Sequence, residues 1–493
     1  MTNIDANIST YLGEKGYTIY KDAISITEQK FIREELNVRP YIPKSPVQAP
    51  SFPVYRENAQ KFYVPRYFGY EYYGEPDICK ISEGDNISVE FNGQLRNYQE
   101  DVVNIYMNKI QSEKHGGGGL LDLAPGQGKT VIALNIISRL SKKTLVIVHK
   151  SFLLNQWIER ISQYLPNASV GRIQGQIINI EGKDIVIGML QSLSMKEYDS
   201  NLFKSFGLTI VDEVHHISSE VFSRSLFKII TKYTLGLSGT MTRKDGLTKV
   251  FKMYLGDILY KSKLNSEHKV LVKAIEYITN DEDFNEVEYD YRGNPKFSTM
   301  ITKLCKFNRR SEYILNIIEK ELELNNNQQI IVLAHNKSLL TYLHDAISHR
   351  NIASVGYYVG GMKEEHLKVS ESKQIIIATY AMASEGLDIP TLTTLIFATP
   401  KTDITQSVGR ILRTKHNNPL VIDIVDSHDI FKNQWSKRKA FYINNKYKII
   451  QTSDYTRNIW DIKYDPCNIV LKKKKNKCLI TNDLLINTDE IIS

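Results

Sequence analysis

From about residue 93 onward the sequence alternates short apolar runs with amphipathic stretches, and no other feature restricts its fold so strongly. In the first half, Leu120–Leu123, Thr144–Val148, Asp184–Gly188, Leu208–Val211 and Leu235–Leu237 read as strands. Between them, Thr130–Leu140 and Phe152–Leu165 read as helices. In the second of these, Leu153, Leu154, Trp157, Ile158, Ile161 and Leu165 recur at three- and four-residue spacings. The pattern returns further on, with Ile330–Leu333, Gln374–Ala378, Thr394–Ala398 and Leu420–Ile424 as strands and Ser338–Ser348 as a helix. Strands that are apolar along their whole length are buried on both faces. Their alternation with helices predicts an α/β fold of parallel sheets covered by helices. Two such units are expected, residues 91–265 and 266–450, with a polar, acidic connection (Asn280–Lys296) near their junction.

The ends of the chain differ from this pattern. Residues 1–90 are punctuated by Pro40, Pro43, Pro46, Pro50, Pro53 and Pro65, and Lys61–Tyr73 crowds aromatic with basic residues. They form an N-terminal module whose fold the pattern does not define. It either contacts nucleic acid or packs its tyrosines as a buried face. Residues 451–493 are read as a tail carrying LKKKKNK (Leu471–Lys477), a pattern more often solvated than bound. The chain has 493 residues, which suits about three domains at roughly 150 residues each. No run approaches the ~18 apolar residues of a membrane span, and MTNIDANIST lacks the basic and apolar regions of a signal peptide. Four cysteines without a CxxC pattern suit free thiols in a reducing compartment. A net charge of +8 favours an anionic partner only mildly.

The chemistry is concentrated in a few segments. Ala124–Thr130, APGQGKT, follows an apolar run and opens a helix, as a phosphate-binding loop must. Ala124, Pro125, Gly126, Gln127 and Gly128 would wrap phosphate oxygens, the glycines because the backbone has to close tightly there. Lys129 would reach the outer phosphates, and Thr130 would place a hydroxyl on Mg²⁺. Leu123 stands where the general pattern has glycine. Asp212 and Glu213 end an apolar strand, an arrangement that suits holding Mg²⁺ through water and activating an attacking water, respectively. The adjoining His215 and His216 lack the HExxH spacing of a zinc site. His215, Ser238 and Thr240 are candidates for coupling nucleotide state to the rest of the chain. In the second unit, Gly386 and Asp388 form a G-x-D step. Gln406, Arg410 and Arg413 share QSVGRILR, whose arginines, three residues apart, lie on one helix face and could reach a γ-phosphate held by the first unit. Gln99, in LRNYQ, offers donors and an acceptor to an adenine edge.

Taken in order, LRNYQ, APGQGKT, VHKSFLLNQW, DEVHH, LSGTMTR, IIVLAHNK, TYAMASEGLDIP and QSVGRILR resemble the superfamily 2 DExH helicases over about residues 93–425. The resemblance implies two tandem RecA-like domains, ATP and Mg²⁺ as cofactors, and a nucleic-acid track. LRNYQ and the Gln156–Trp157 pair are similar to the branch that contains the transcription-factor helicase of nucleotide excision repair. Arg243-Lys244-Asp245 replaces that branch's Arg-Glu-Asp, which removes the basis for assigning it a strand-separating role. Phe52–Gly69 and the chain length are similar to the poxviral DNA helicases that release nascent transcripts. That likeness implies a DNA-dependent ATPase moving 3′ to 5′ on single-stranded or duplex DNA. It further implies action with the elongation complex and other viral factors, and a place in the virion and the infected cell's cytoplasm. Arg243, Lys244 and the segment near Gln191–Ser192 are candidate strand contacts. The motifs leave open an RNA helicase and a duplex translocase that separates no strands. Retention of Lys129, Asp212, Glu213, Arg410 and Arg413 argues against a non-catalytic protein with this fold.

Overall fold

The computed structural model describes residues 10–42, 47–124, 126–199, 201–216, 219–239, 241, 245–262, 269–385, 387, 389–412 and 419–468. Two eight-stranded sheets dominate it. The first runs, edge to edge, Ile177–Asn179, Val170–Gln174, Ile185–Met189, Thr144–Val148, Leu208–Val211, Tyr233–Ser238, Gly118–Asp122 and Ile258–Lys261. All neighbours are parallel except the first pair. The second runs Val355–Tyr358, Ile375–Thr379, Gln329–Ala334, Leu392–Phe397, Leu420–Asp426, Leu271–Tyr277, Lys448–Thr452 and Asp461–Tyr464, parallel except the last pair. The central strands are buried along nearly their whole length, as their β-branched composition requires. The two α/β units thus fold as the alternation demands, and their helices cover both faces.

Three sequence expectations need correction. Leu271–Tyr277 is an interior strand of the second sheet, between Leu420–Asp426 and Lys448–Thr452. The acidic stretch Asn280–Lys296 therefore lies inside the second unit, not at the junction. The tail begins later than residue 451, because Asp461–Tyr464 pairs with Lys448–Thr452; LKKKKNK itself lies outside the described residues. The N-terminal module is not separate. Its five-stranded sheet, in the order Arg56–Glu57, Lys61–Val64, Gly16–Tyr20, Thr10–Gly13 and Ile78–Cys79, turns one face onto the first unit. There Leu12, Tyr17, Ile19, Phe62 and Phe68 share one core with Leu120, Leu145, Val250, Phe251 and Leu255. The helix Arg66–Tyr73 packs on the helix Thr248–Leu255. Buried Arg66 pins the join by donating to the carbonyls of Lys232 at 2.9 Å and His115 at 3.1 Å. The aromatic crowding of Lys61–Tyr73 is mostly this packing.

Within the second unit, two buried forks brace residues 398–401. Arg310 holds Asp426 through Nε at 2.6 Å and Nη2 at 2.8 Å, and its Nη1 donates to the Ala398 carbonyl at 2.9 Å. Arg438 holds Asp423 through two contacts of 2.8 Å and donates to the Lys401 carbonyl at 2.9 Å. The segment that follows carries Gln406 and Arg410, so both forks fix the approach to the site.

Candidate active site

In open α/β sheets, ligands bind beyond the carboxyl ends of the strands. The phosphate loop leaves the end of Gly118–Asp122, and its helix, Lys129–Leu140, points its N-terminus back into the space above the sheet. Unpaired N–H groups and the helix dipole make that end a receptor for anions. Gly126 and Gly128 adopt φ of 83° and 76°, which side chains other than glycine's adopt poorly. Gly128 also has no room: a Cβ there would lie 2.4 Å from Gln99 Nε2. Gln99 itself is buried and bonded to the loop. Its Nε2 donates to the Gln127 carbonyl at 3.1 Å and its Oε1 accepts from the Arg96 N–H at 2.9 Å. In this arrangement it braces the phosphate loop with one amide N–H and one carbonyl lone pair, which leaves the second N–H and the second lone pair for an adenine edge. Tyr98 adds a second hydroxyl bond to the Gln127 carbonyl at 3.1 Å, and Ser262 Oγ accepts from the Ala124 N–H at 2.9 Å.

Lys129 Nζ forms an ion pair with Glu213. Glu213 sits at φ 49°, an unusual conformation for a residue with a side chain, and this turns its carboxylate toward the loop. Asp212 is buried. Its Oδ2 accepts from the indole N–H of Trp157 at 2.9 Å and its Oδ1 from the Glu213 N–H at 2.9 Å. Burial and the neighbouring Glu213 carboxylate push its carboxyl up to about 6, against the pull of Lys129 and the indole. A bound divalent cation would reverse that balance. The donors fit Mg²⁺, which is commonly held by one or two carboxylates together with substrate phosphates: Asp212 supplies a buried carboxylate and Thr130 a hydroxyl on the first turn of the phosphate-loop helix.

The second unit meets the first at His215. Gln406 Nε2 lies 3.1 Å from His215 Nε2, and His215 Nδ1 lies 2.6 Å from Ser238 Oγ and 3.4 Å from Glu213 Oε2. An amide nitrogen only donates, so His215 Nε2 accepts and the ring proton sits on Nδ1, facing Ser238 and Glu213. A chain of contacts thus runs from the second unit to the Glu213 carboxylate. Arg410 lies on the same face of the second unit and donates to the Leu387 carbonyl at 2.7 Å. Burial lowers its pKa to about 10, offset by the Glu213 carboxylate across the cleft, so it remains charged at neutral pH. Two outer contacts span the same cleft: Asn155 to Glu364 at 2.6 Å, and Lys368 to Glu159 at 2.9 Å.

The structure therefore brings together Gln99, Ala124, Gly126, Gln127, Gly128, Lys129, Thr130, Asp212, Glu213, His215, Ser238, Gln406 and Arg410. Pro125, Thr240, Arg243, Lys244, Gly386, Asp388 and Arg413 lie outside the described residues. Gln191 and Ser192 are at the carboxyl edge of the first sheet. Gln191 donates to the His149 carbonyl at 3.1 Å, and Ser192 Oγ accepts from the Gly175 N–H at 2.9 Å. Two roles escaped sequence reasoning: Trp157 as the partner of Asp212, and the Leu387 carbonyl as the seat of Arg410. Trp157 was visible as part of a helix's apolar face and as half of the Gln156–Trp157 pair, neither of which points to Asp212.

A phosphate loop, a buried carboxylate beside it and a facing arginine, set on two largely parallel sheets, have the layout of a nucleotide-driven motor. The type III restriction enzyme res subunit family matches residues 92–243, and the helicase conserved C-terminal domain matches residues 312–416. The chain belongs to the superfamily 2 helicases and is an ATP-dependent helicase. It is 38% identical over 457 residues to a protein of Acanthamoeba polyphaga mimivirus named as an ATP-dependent RNA helicase, covering 90% of this chain and 87% of that one. An African swine fever virus protein with the same kind of name is 28% identical over 77% of this chain and 80% of its own. A helicase of Escherichia phage T5 is 26% identical over 71% and 76%. A looser structural likeness, at TM-score 0.47 and 16% identity, is to the Hef helicase domain of Pyrococcus furiosus, over 70% of this chain and 98% of that one.

Proposed function

We propose that the protein is a DNA-dependent ATPase of the DExH type that tracks along DNA and releases nascent RNA at the end of viral transcription. The observation that carries the motor reading is the contact chain Gln406–His215–Ser238 beside the Lys129–Glu213 pair. It links closure between the two units to the group that handles the attacking water. ATP phosphates would displace Glu213 from Lys129, freeing its carboxylate as the base. Mg²⁺, when bound, neutralises phosphate charge. Arg410, already buried and charged, would stabilise charge that develops on the outer phosphate. Loss of that phosphate removes the arginine's partner and lets the units separate, which advances a strand held across both.

The match of residues 92–243 to a restriction-enzyme family favours DNA. The likeness to the poxviral transcript-releasing helicases favours 3′-to-5′ movement, termination, and action in the virion and the infected cell's cytoplasm. The names of the mimiviral and asfarviral relatives favour a second reading, an RNA helicase. ATPase assays with single-stranded DNA, duplex DNA and RNA, beside displacement of strands from 3′- and 5′-tailed duplexes, separate the two. Stimulation by RNA alone would overturn the DNA reading. Undiminished turnover in Lys129→Ala would overturn the mechanism.

A further inference from the structure

The N-terminal sheet buries one face against the first unit; its opposite face buries Thr18 and Tyr63 and leaves Tyr11, Tyr20 and Lys61 half-exposed. Strand register places Tyr11, Tyr20, Lys61 and Tyr63 on that outer face, because Tyr20 pairs with Lys61 and Tyr11 and Tyr63 both pair with Thr18. The tyrosine rings carry lysines. Lys61 Nζ lies 4.3 Å from the centre of the Tyr20 ring and 5.2 Å from that of Tyr11. Lys80 Nζ lies 4.6 Å from Tyr11, and Lys15 Nζ lies 5.2 Å from Tyr63. Lys15 and Lys80 are exposed and Lys61 is half-buried.

Among the described residues, none of these three lysines forms an ion pair. Lys21 and Arg33, on the buried-face side, are both taken up by Glu57, and Glu14, the carboxylate beside Lys15, is engaged by Lys204 of the first unit at 2.8 Å. Lys61 also donates to the Tyr11 hydroxyl at 3.4 Å, a neutral partner, so positive charge stays on this face while the neighbouring cations are paired with carboxylates. A lysine resting on an aromatic ring keeps its charge toward solvent and has fewer conformations to lose on binding. That combination suits a polyanion contacted through its phosphates and read without regard to sequence.

We propose that this outer face, Lys15, Lys61 and Lys80 on their tyrosine supports, binds the sugar–phosphate backbone of nucleic acid. The opposite face of the same sheet shares a core with the first unit, so the outer face would hold the track on that unit while the second moves. The inference rests on the motor reading but is separable from it. The test is binding of the full chain to a fluorescent duplex DNA, a single-stranded DNA and an RNA, each over a range of salt, for the wild type and for Lys15→Gln/Lys61→Gln/Lys80→Gln. On duplex DNA each lost phosphate contact lowers the slope of log affinity against log salt by about 0.9. The triple variant should lose about 2–3 in slope and bind roughly a hundredfold more weakly at 0.1 M salt. The arm showing the larger loss identifies which nucleic acid the face holds. Thermal unfolding and turnover without nucleic acid should match the wild type; if the triple variant unfolds early, each single substitution should lower the slope by about 0.9 instead. Slopes and affinities equal to those of the wild type on all three ligands would overturn the proposal and leave the motor reading intact. Failure of the wild type to bind any of them would overturn both.

Discussion

Trp157→Phe isolates the support beneath Asp212. The substitution leaves an aromatic ring in a fully buried slot and removes the indole N–H that reaches Asp212 Oδ2 at 2.9 Å. A hydrogen bond to a charged group contributes about 1.5–3 kcal/mol, and one pKa unit corresponds to about 1.4 kcal/mol. Burial and the neighbouring Glu213 carboxylate already hold the Asp212 carboxyl above the ordinary carboxylate range, against the pull of the indole, so losing the donor raises it further. The carboxylate must shed its proton to meet a cation, so Mg²⁺ and H⁺ compete at one oxygen pair, and a higher pKa favours the proton. At pH 7 the variant should need about ten to a hundred times more Mg²⁺ for half-maximal ATPase activity, the range found when partners of metal ligands are removed. Raising the pH should recover the activity, with the acid limb displaced upward. Steady-state ATPase measured against free Mg²⁺ at several pH values reads both effects. The fold loses less than the ~3–5 kcal/mol of a truncation to alanine, and circular dichroism verifies that the assay temperature is below unfolding. A folded variant whose Mg²⁺ curve and acid limb coincide with those of the wild type would refute the role given to both residues.

Gly128→Ala should abolish ATP binding, measured with a fluorescent nucleotide, while the melting curve shifts little, because the added Cβ meets Gln99 2.4 Å away at a φ of 76°. Gln406→Ala removes the 3.1 Å link to His215. It should lower nucleic-acid-stimulated turnover about tenfold, the equivalent of one buried hydrogen bond, with ATP affinity changed far less. Arg310→Met leaves Asp426 buried without its partner and should cost about 3–5 kcal/mol in a denaturant titration; adding Asp426→Leu should restore most of it.

The strands legible in the sequence were those buried on both faces, such as Thr144–Val148 and Leu208–Val211, whose residues are apolar or β-branched throughout. Leu271–Tyr277 is not legible as a strand because Lys273 and Glu276 interrupt it; in the fold, Lys273 pairs with Glu321 and Glu276 accepts from the Gln451 amide, partners distant in sequence. Val170–Gln174 and Lys448–Thr452 carry polar residues for a different reason, their place next to the edge strands of their sheets. The N-terminal strands span only two to five residues, too few for a period to show. At the site, Lys129, Asp212 and Glu213 were legible because their chemistry is local to a loop and a strand end. Gln99 was legible as a polar residue ahead of the phosphate loop, but its bond to that loop was not, since the partner is a backbone carbonyl 28 residues away. Trp157 lies 55 residues from Asp212, and nothing short of the folded sheet brings an indole to that carboxylate.

The shared core of the N-terminal sheet and the first unit also sets how the molecule comes apart. Tyr17, Phe62 and Phe68 cannot leave Val250, Phe251 and Leu255 without exposing both halves of one cluster, so the two should melt as one cooperative block. The second unit has its own clusters and two internal arginine forks. Calorimetry should therefore record two transitions from a chain whose sequence suggests three domains. A fragment starting at residue 91 should emerge as an insoluble half of a core rather than as an independent motor unit.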